Sequence, residues 1–86
     1  MVPEIKIGDK IKLIKPSYET KRDHPLLLVG DEGIVVHTIN QFDFIKHLKW
    51  KAYCVNWGKP INGSNLEGRC QDGHGSCVER DEIEAI

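Results

Sequence analysis

The chain has 86 residues, 40% hydrophobic and 29% charged, with a formal net charge of −1. That length gives one domain with a thin stability margin, and that mixture is globular rather than disordered. It excludes a bilayer-spanning helix, since no apolar run approaches ~18–20 residues, and it lacks the basic excess usual in proteins that hold duplex backbones.

Lys6 to Lys15 alternates apolar and charged residues around the Gly8-Asp9 turn. Period-two alternation predicts a half-buried first strand, with Ile11 and Leu13 on one face and Lys10, Lys12 and Ile14 on the other. Pro16 ends it, because proline cannot donate to a ladder. Pro16 to Val29 is then a long excursion with Tyr18 and Leu26-Leu27-Leu28-Val29 as its apolar contacts. Its polar middle, Glu19 to Pro25, is expected in solvent.

Gly30-Asp31-Glu32-Gly33 reads as a turn, and the β-branched run from Ile34 to Ile39 as a second strand. From Asn40 to Lys49 two periods compete. Phe42, Ile45 and Leu48 are three apart, as on a helix, while Phe42 and Phe44 alternate, as on a strand. We expect a loop with a short helical turn there. Trp50 to Trp57 is the third strand, with Tyr53, Val55 and Trp57 on one face and Ala52 and Cys54 on the other. The glycine-rich segment from Asn62 to Gly75 follows. A fourth strand is predicted at Ser76 to Glu79, a polar turn at Arg80-Asp81-Glu82, and a fifth strand at Ile83 to Ile86.

Five short strands with a long loop after the first describe an all-β domain closed into a small barrel, because closure removes sheet edges. Ile11, Leu13, Ile34, Val36, Val55, Val78 and Ile83 are its predicted core. Through Lys51 there are nine Lys/Arg against seven Asp/Glu, and beyond it three against six. The tail is therefore the acidic part. The N-terminus, Met1 to Ile5, carries no signal-peptide pattern, and three cysteines are too few for a disulfide scaffold. A cytoplasmic protein with reduced thiols is expected.

The Lys6-x-Gly8-Asp9-x-Ile11-x-Leu13 opening, the Gly30 to Val35 turn and strand, and the closing Val78-x-x-Asp81-Glu82-Ile83-Glu84 resemble, in that order, SH3-like barrel domains. The resemblance implies one SH3-like five-stranded barrel over residues 1–86, with a long first loop and an insertion before the third strand. The stretch Gly68-x-Cys70-x-x-Gly73-x-Gly75 is also similar to the glycine-rich segment of small uncharacterised bacterial and phage proteins. Here Ser64 stands in place of their usual histidine, and Ser76-Cys77 in place of their aromatic residues. This likeness implies a phage or prophage setting, with a host-factor or counter-defence role. The barrel fold hosts many functions, so it points to a binding module and nothing sharper.

Four constellations carry possible chemistry. Cys70-x3-His74-x2-Cys77, with Cys54 on the third strand, supplies a Cys₃His donor set for zinc. No Cys-x₂₋₄-Cys knuckle accompanies it. The plain reading has no cofactor, with Cys54 and Cys77 as small buried hydrophobes and His74 capping a loop. Cys70 or Cys77 near His74 has the composition of a thiolate pair. A barrel this small rarely encloses the usual ~300–1,000 Å³ pocket, so no enzymatic activity is expected.

Tyr18, Trp50 and Tyr53, with His74, are the candidate partner-binding residues, since exposed aromatic side chains anchor protein partners. Trp57 is read instead as packing over the barrel end. Last, Lys10, Lys12 and Lys15, with Lys46, Lys49 and Lys51, form a potential basic stripe, and Lys49-Trp50-Lys51 interleaves charge with a ring as single-strand nucleic-acid binders do. The leading expectation is a protein-binding module. The alternatives are a Tudor/KOW-like nucleic-acid-binding barrel and a zinc-stapled barrel.

Overall fold

The computed structural model describes residues 4–86, apart from the side chains of residues 41, 43 and 48. Met1, Val2 and Pro3, on which part of the signal-peptide reading falls, lie outside the described residues. Among the described residues five strands are present: β1 (Lys10–Leu13), β2 (Glu32–Asp43), β3 (Leu48–Asn56), β4 (Gly75–Glu79) and β5 (Ile83–Ala85). They form one antiparallel sheet in the order β4-β3-β2-β1-β5. The edges of that sheet are β4 and β5. Yet Val78 from one edge and Ile83 from the other share a single core cluster with Ile11, Leu13 and Val55. The sheet therefore bends around one apolar centre.

Strand β1 shows the predicted alternation, exposed lysines and buried Ile11 and Leu13. Strand β2 departs from the expected phase. Val35 pairs with Val55 and His37 with Cys54, so Val36 is an extra residue in a bulge. A bulge shifts the side-chain alternation by one residue. Val35 is fully buried, whereas Ile34 is exposed and Val36 half-buried, which corrects the assignment of Ile34 and Val36 to the core.

Gly33 precedes the bulge because nothing larger fits. A Cβ there would stand 2.6 Å from Val55 Cγ1 and 2.8 Å from the Asn56 carbonyl oxygen.

The expected loop and helical turn over residues 40–49 is also corrected. Strand β2 runs on to Asp43, a turn covers residues 44–47, and β3 begins at Leu48. Cross-strand pairing from Asn40↔Lys51 to Asp43↔Leu48 holds these residues extended. Phe42 lies on the strand while Phe44 and Ile45 lie in the turn, so the helical spacing of Phe42 and Ile45 is not used.

The long excursion after β1 contains a six-residue helix, α1 (Tyr18–Asp23), not predicted from the sequence. Ser17 caps it, its Oγ accepting from the Thr20 amide at 3.2 Å. Glu19 in its first turn and Lys21 and Arg22 in its last suit the helix dipole. Pro25 stops it, because the residue before proline is driven out of helical geometry. His24 accordingly has φ −132° and ψ 67°.

The helix docks through Glu82, in a 3₁₀ turn at Arg80–Glu82. Glu82 is buried, and its Oε1 accepts from the Ser17 amide at 2.7 Å and the Thr20 hydroxyl at 2.6 Å. Its Oε2 accepts from the Glu79 amide at 2.6 Å. One carboxylate thus ties the long excursion to the β4–β5 turn. Burial pushes its pKa up, but the hydrogen bonds from Ser17, Thr20 and Glu79 together outweigh burial and hold it below the usual value.

Candidate functional site

The distal half of the β2–β3 hairpin is an arm. Pairing of β2 with β1 covers Glu32 to Ile34, and pairing of β3 with β4 begins at Ala52. Between them, from Asn40↔Lys51 outward, the two strands have only each other among the described residues. A two-stranded ribbon is marginal in water without a surface to cover it. This one nevertheless carries large apolar side chains in solvent: Phe42, Trp50, Phe44 and Ile45, the last two at 80% and 91% exposure. The Phe42 and Phe44 rings meet edge to face, with centroids 4.7 Å apart. Contiguous exposed apolar surface of this kind marks interaction sites, whereas isolated exposed residues do not.

Trp50 stands at the base of the arm, where three clefts meet. Toward α1 a small cleft is walled by Glu19, Asp23, His24, Ala52 and Glu79. Toward the 3₁₀ turn, a wide cleft of about 600 Å³ is walled by Lys46, Lys49, Lys51 and Arg80, with Glu79 and Asp81. Toward the tip, Trp50 is flanked by Asn40, Phe42 and Lys49. The ring therefore stands between a cleft with acidic walls and one with a majority of basic residues, with Glu79 shared by both. On the acidic side, burial and then the charges of Asp81 and Glu82 raise the pKa of Glu79. His24 Nδ1 is buried there with no hydrogen-bond partner among the described residues.

The four predicted partner-binding residues are not brought together. Trp50 is exposed at the arm, as a docking residue requires. Tyr18 is 77% exposed on α1, with the Arg22 guanidinium 5.8 Å from its ring centroid. Tyr53 is only 5% exposed and belongs to the core, because its face of β3 is the inward one; its placement on a binding surface is corrected. Trp57 is buried too, its Nε1 donating to Ser76 Oγ at 2.9 Å. His74 is half-buried immediately before β4, its carbonyl accepting from the Trp57 amide at 3.0 Å.

Phe44 and Ile45, the most exposed apolar residues of the arm, were not among the predicted binding residues. The alternation of Phe42 and Phe44 was the signal for them.

The cysteines divide in the same way. Cys54 and Cys77 lie directly opposite on β3 and β4, with sulfurs 2.8 Å apart. Cys70 Sγ instead points to the Ser64 carbonyl at 3.7 Å. Among the described residues, no group of three or more His, Cys, Asp or Glu side chains is placed to hold a metal ion, so Cys54, Cys70, His74 and Cys77 do not assemble as a Cys₃His set. No helix among these residues is long and apolar enough to cross a membrane.

The glycine-rich segment folds over the outward face of β3 and β4. Asn65 caps its turn, Oδ1 accepting from the Glu67 amide at 3.0 Å and its carbonyl from the amides of Gly68 and Cys70, both at 3.1 Å. Leu66 and Glu67 take the left-handed conformation, φ 51° and 58°, immediately before Gly68. Gly75 lets this turn approach: a Cβ there would meet Leu66 Cγ at 2.5 Å and Cys70 Sγ at 2.7 Å. Beneath the turn is a cleft of about 360 Å³ reached by His37, Cys54, Leu66, Arg69 and Cys77.

Comparison with family models, curated proteins and solved structures gives no match.

Proposed function

We propose that this chain is a non-catalytic binding module whose partner surface is the distal β2–β3 arm with Trp50 at its base. Its partner is a protein segment that carries apolar side chains with acidic ones beside them. The observation that supports this reading is the set Phe42, Phe44, Ile45 and Trp50, exposed on a ribbon that has no third strand among the described residues. Burying these side chains is the favourable term a partner would gain, at roughly 25 cal/mol per Å² of apolar surface before association costs. Lys46, Lys49 and Lys51 beside the rings favour an acidic partner and set its orientation and on-rate. The strand order and the single core shared by both sheet edges support, on the same reading, an SH3-like barrel as the scaffold. A host factor met by a phage or prophage protein is the setting that the glycine-rich segment implies.

Lys46, Lys49 and Lys51 around an exposed ring also favour a second reading, single-stranded nucleic acid tracked by charge and stacked on Trp50 and Phe42. Selection from a random peptide library on the immobilised chain separates the two. The first reading expects peptides rich in acidic and apolar residues, retained by wild type and released by Trp50→Ala and by Phe44→Ser. Titration with a single-stranded oligonucleotide at low salt tests the second. Tight binding that weakens steeply with salt, together with no selected peptide, would replace the protein partner by nucleic acid.

A further inference from the structure

We propose that Cys54 and Cys77 are a redox modification site, closing to an intrachain disulfide when the protein meets a peroxide. The site is separate from the arm and follows from the sheet register. Cys77 and Cys54 are directly opposed across β4 and β3. On β4 the Gly75 amide donates outward to the Ser64 carbonyl at 2.9 Å, and the Glu79 amide to Glu82 Oε2 at 2.6 Å. Alternate residues of a strand face the same way, so the Cys77 amide also turns away from β3. Cys54↔Cys77 is then a non-hydrogen-bonded pair, the type in which opposed Cα atoms approach to about 4.5 Å and side chains come closest. That separation lies within the range disulfides span, about 4.4–6.8 Å.

The side chains use this proximity. Their sulfurs are 2.8 Å apart, so a bond of ~2.05 Å requires a closure of less than ~1 Å. Accessibility assigns the two roles. Cys77 is exposed and meets the oxidant, while Cys54 is only 3% exposed and has the Cys77 sulfur against its own. Burial, and next the Cys77 thiol, push the Cys54 pKa up to about 12, which keeps its proton in place until the second step.

In the first step the Cys77 sulfur attacks hydrogen peroxide. The S–O bond forms, the O–O bond breaks, and hydroxide leaves with the thiol proton as water. In the second step Cys54 attacks the sulfenic sulfur. The S–S bond forms, the S–O bond breaks, and the departing hydroxide takes the Cys54 proton as a second water. The two thiols lose two electrons and two protons, and one peroxide becomes two waters.

The third thiol is a built-in control. Cys70 lies against Gly75 and faces the Ser64 carbonyl, so a chain oxidised without geometric preference would use it as well. The test treats the reduced full chain with hydrogen peroxide, counts free thiols, and maps the link after cleavage at both Arg69 and Asp72, which puts Cys54, Cys70 and Cys77 on three separate peptides. The expected result is a fall from three thiols to one, an intact mass lower by two hydrogens, a Cys54–Cys77 link, and full reversal by dithiothreitol. Cys70→Ser retains the link and Cys77→Ser loses it. In denaturant the preference for Cys54 over Cys70 disappears. A link through Cys70, a disulfide between two chains, over-oxidation of Cys77 without a link, or the same pairing at the same rate in denaturant would each overturn the proposal.

Discussion

Replacing Glu82 by alanine tests how the excursion between β1 and β2 is held. The carboxylate accepts from the Ser17 amide, the Thr20 hydroxyl and the Glu79 amide at 2.6–2.7 Å, and the residue is 4% exposed. Without it the Thr20 hydroxyl can still turn to Ser17 Oγ, 3.2 Å away, so two backbone donors lose their partner. A buried donor left unmade costs about 1–3 kcal/mol, and these two are part-buried, so the loss is about 2–6 kcal/mol with the lower half expected. A domain of this size has about 4–13 kcal/mol in total, so the variant should sit near the edge of folding. Urea denaturation reads the loss as a lower midpoint.

The pH dependence supplies a second reading of the same site. The folded pKa of Glu82 is lowered, so its stabilisation is complete above the unfolded value near ~4.3 and is lost as pH falls through the folded value. Wild type should therefore lose more stability between pH 6 and pH 3 than Glu82→Gln does. A Glu82→Ala cost under ~1 kcal/mol, or identical pH slopes for wild type and Glu82→Gln, would refute the reasoning.

Three further outcomes follow from named contacts. Gly33→Ala should cost about 1–3 kcal/mol in urea denaturation, because its methyl would press on Val55 and the Asn56 carbonyl. Glu67→Gly should raise the unfolding free energy read by urea denaturation by roughly 0.5–1 kcal/mol, since Glu67 is exposed and held at φ 58°, where only glycine is unstrained. Oxidation that joins Cys54 to Cys77, 23 positions apart, should add about 3 kcal/mol by shrinking the unfolded ensemble, a rise in Tm of roughly 10–20 °C by calorimetry.

Much of the sheet was legible because its signals are local. The alternation of Ile11 and Leu13 with lysines, the stop at Pro16, and the opposed faces of Tyr53 and Cys54 all appear in the strands as read. The errors arise where a distant partner decides the local outcome. The bulge at Val36 is fixed by pairing with Val55 and Cys54 across the hairpin, and it shifts the side-chain alternation by one residue from there on. Helix α1 is too short to form on propensity alone. It depends on Glu82, more than fifty residues away in the chain, although Ser17 was present as a capping signal.

The arm was missed for a related reason. Phe42 and Ile45 mimic a helical stripe, and only cross-strand pairing reveals a ribbon that leaves its rings exposed. Among the site residues, Trp50 is exposed, whereas Tyr53 follows its strand into the core. The Cys54 and Cys77 pairing depends on strand register, which their spacing in the chain does not encode.

The central claim is that the arm is a binding surface and not part of the folding core. The most direct measurement compares Phe44→Ser/Ile45→Ser with wild type, reading the urea midpoint and the Kd for a selected acidic, apolar peptide. The account predicts an unchanged midpoint and a Kd weakened at least ~10-fold, about 1.4 kcal/mol or more. An unchanged Kd, or a variant that loses binding only because it unfolds, would contradict it.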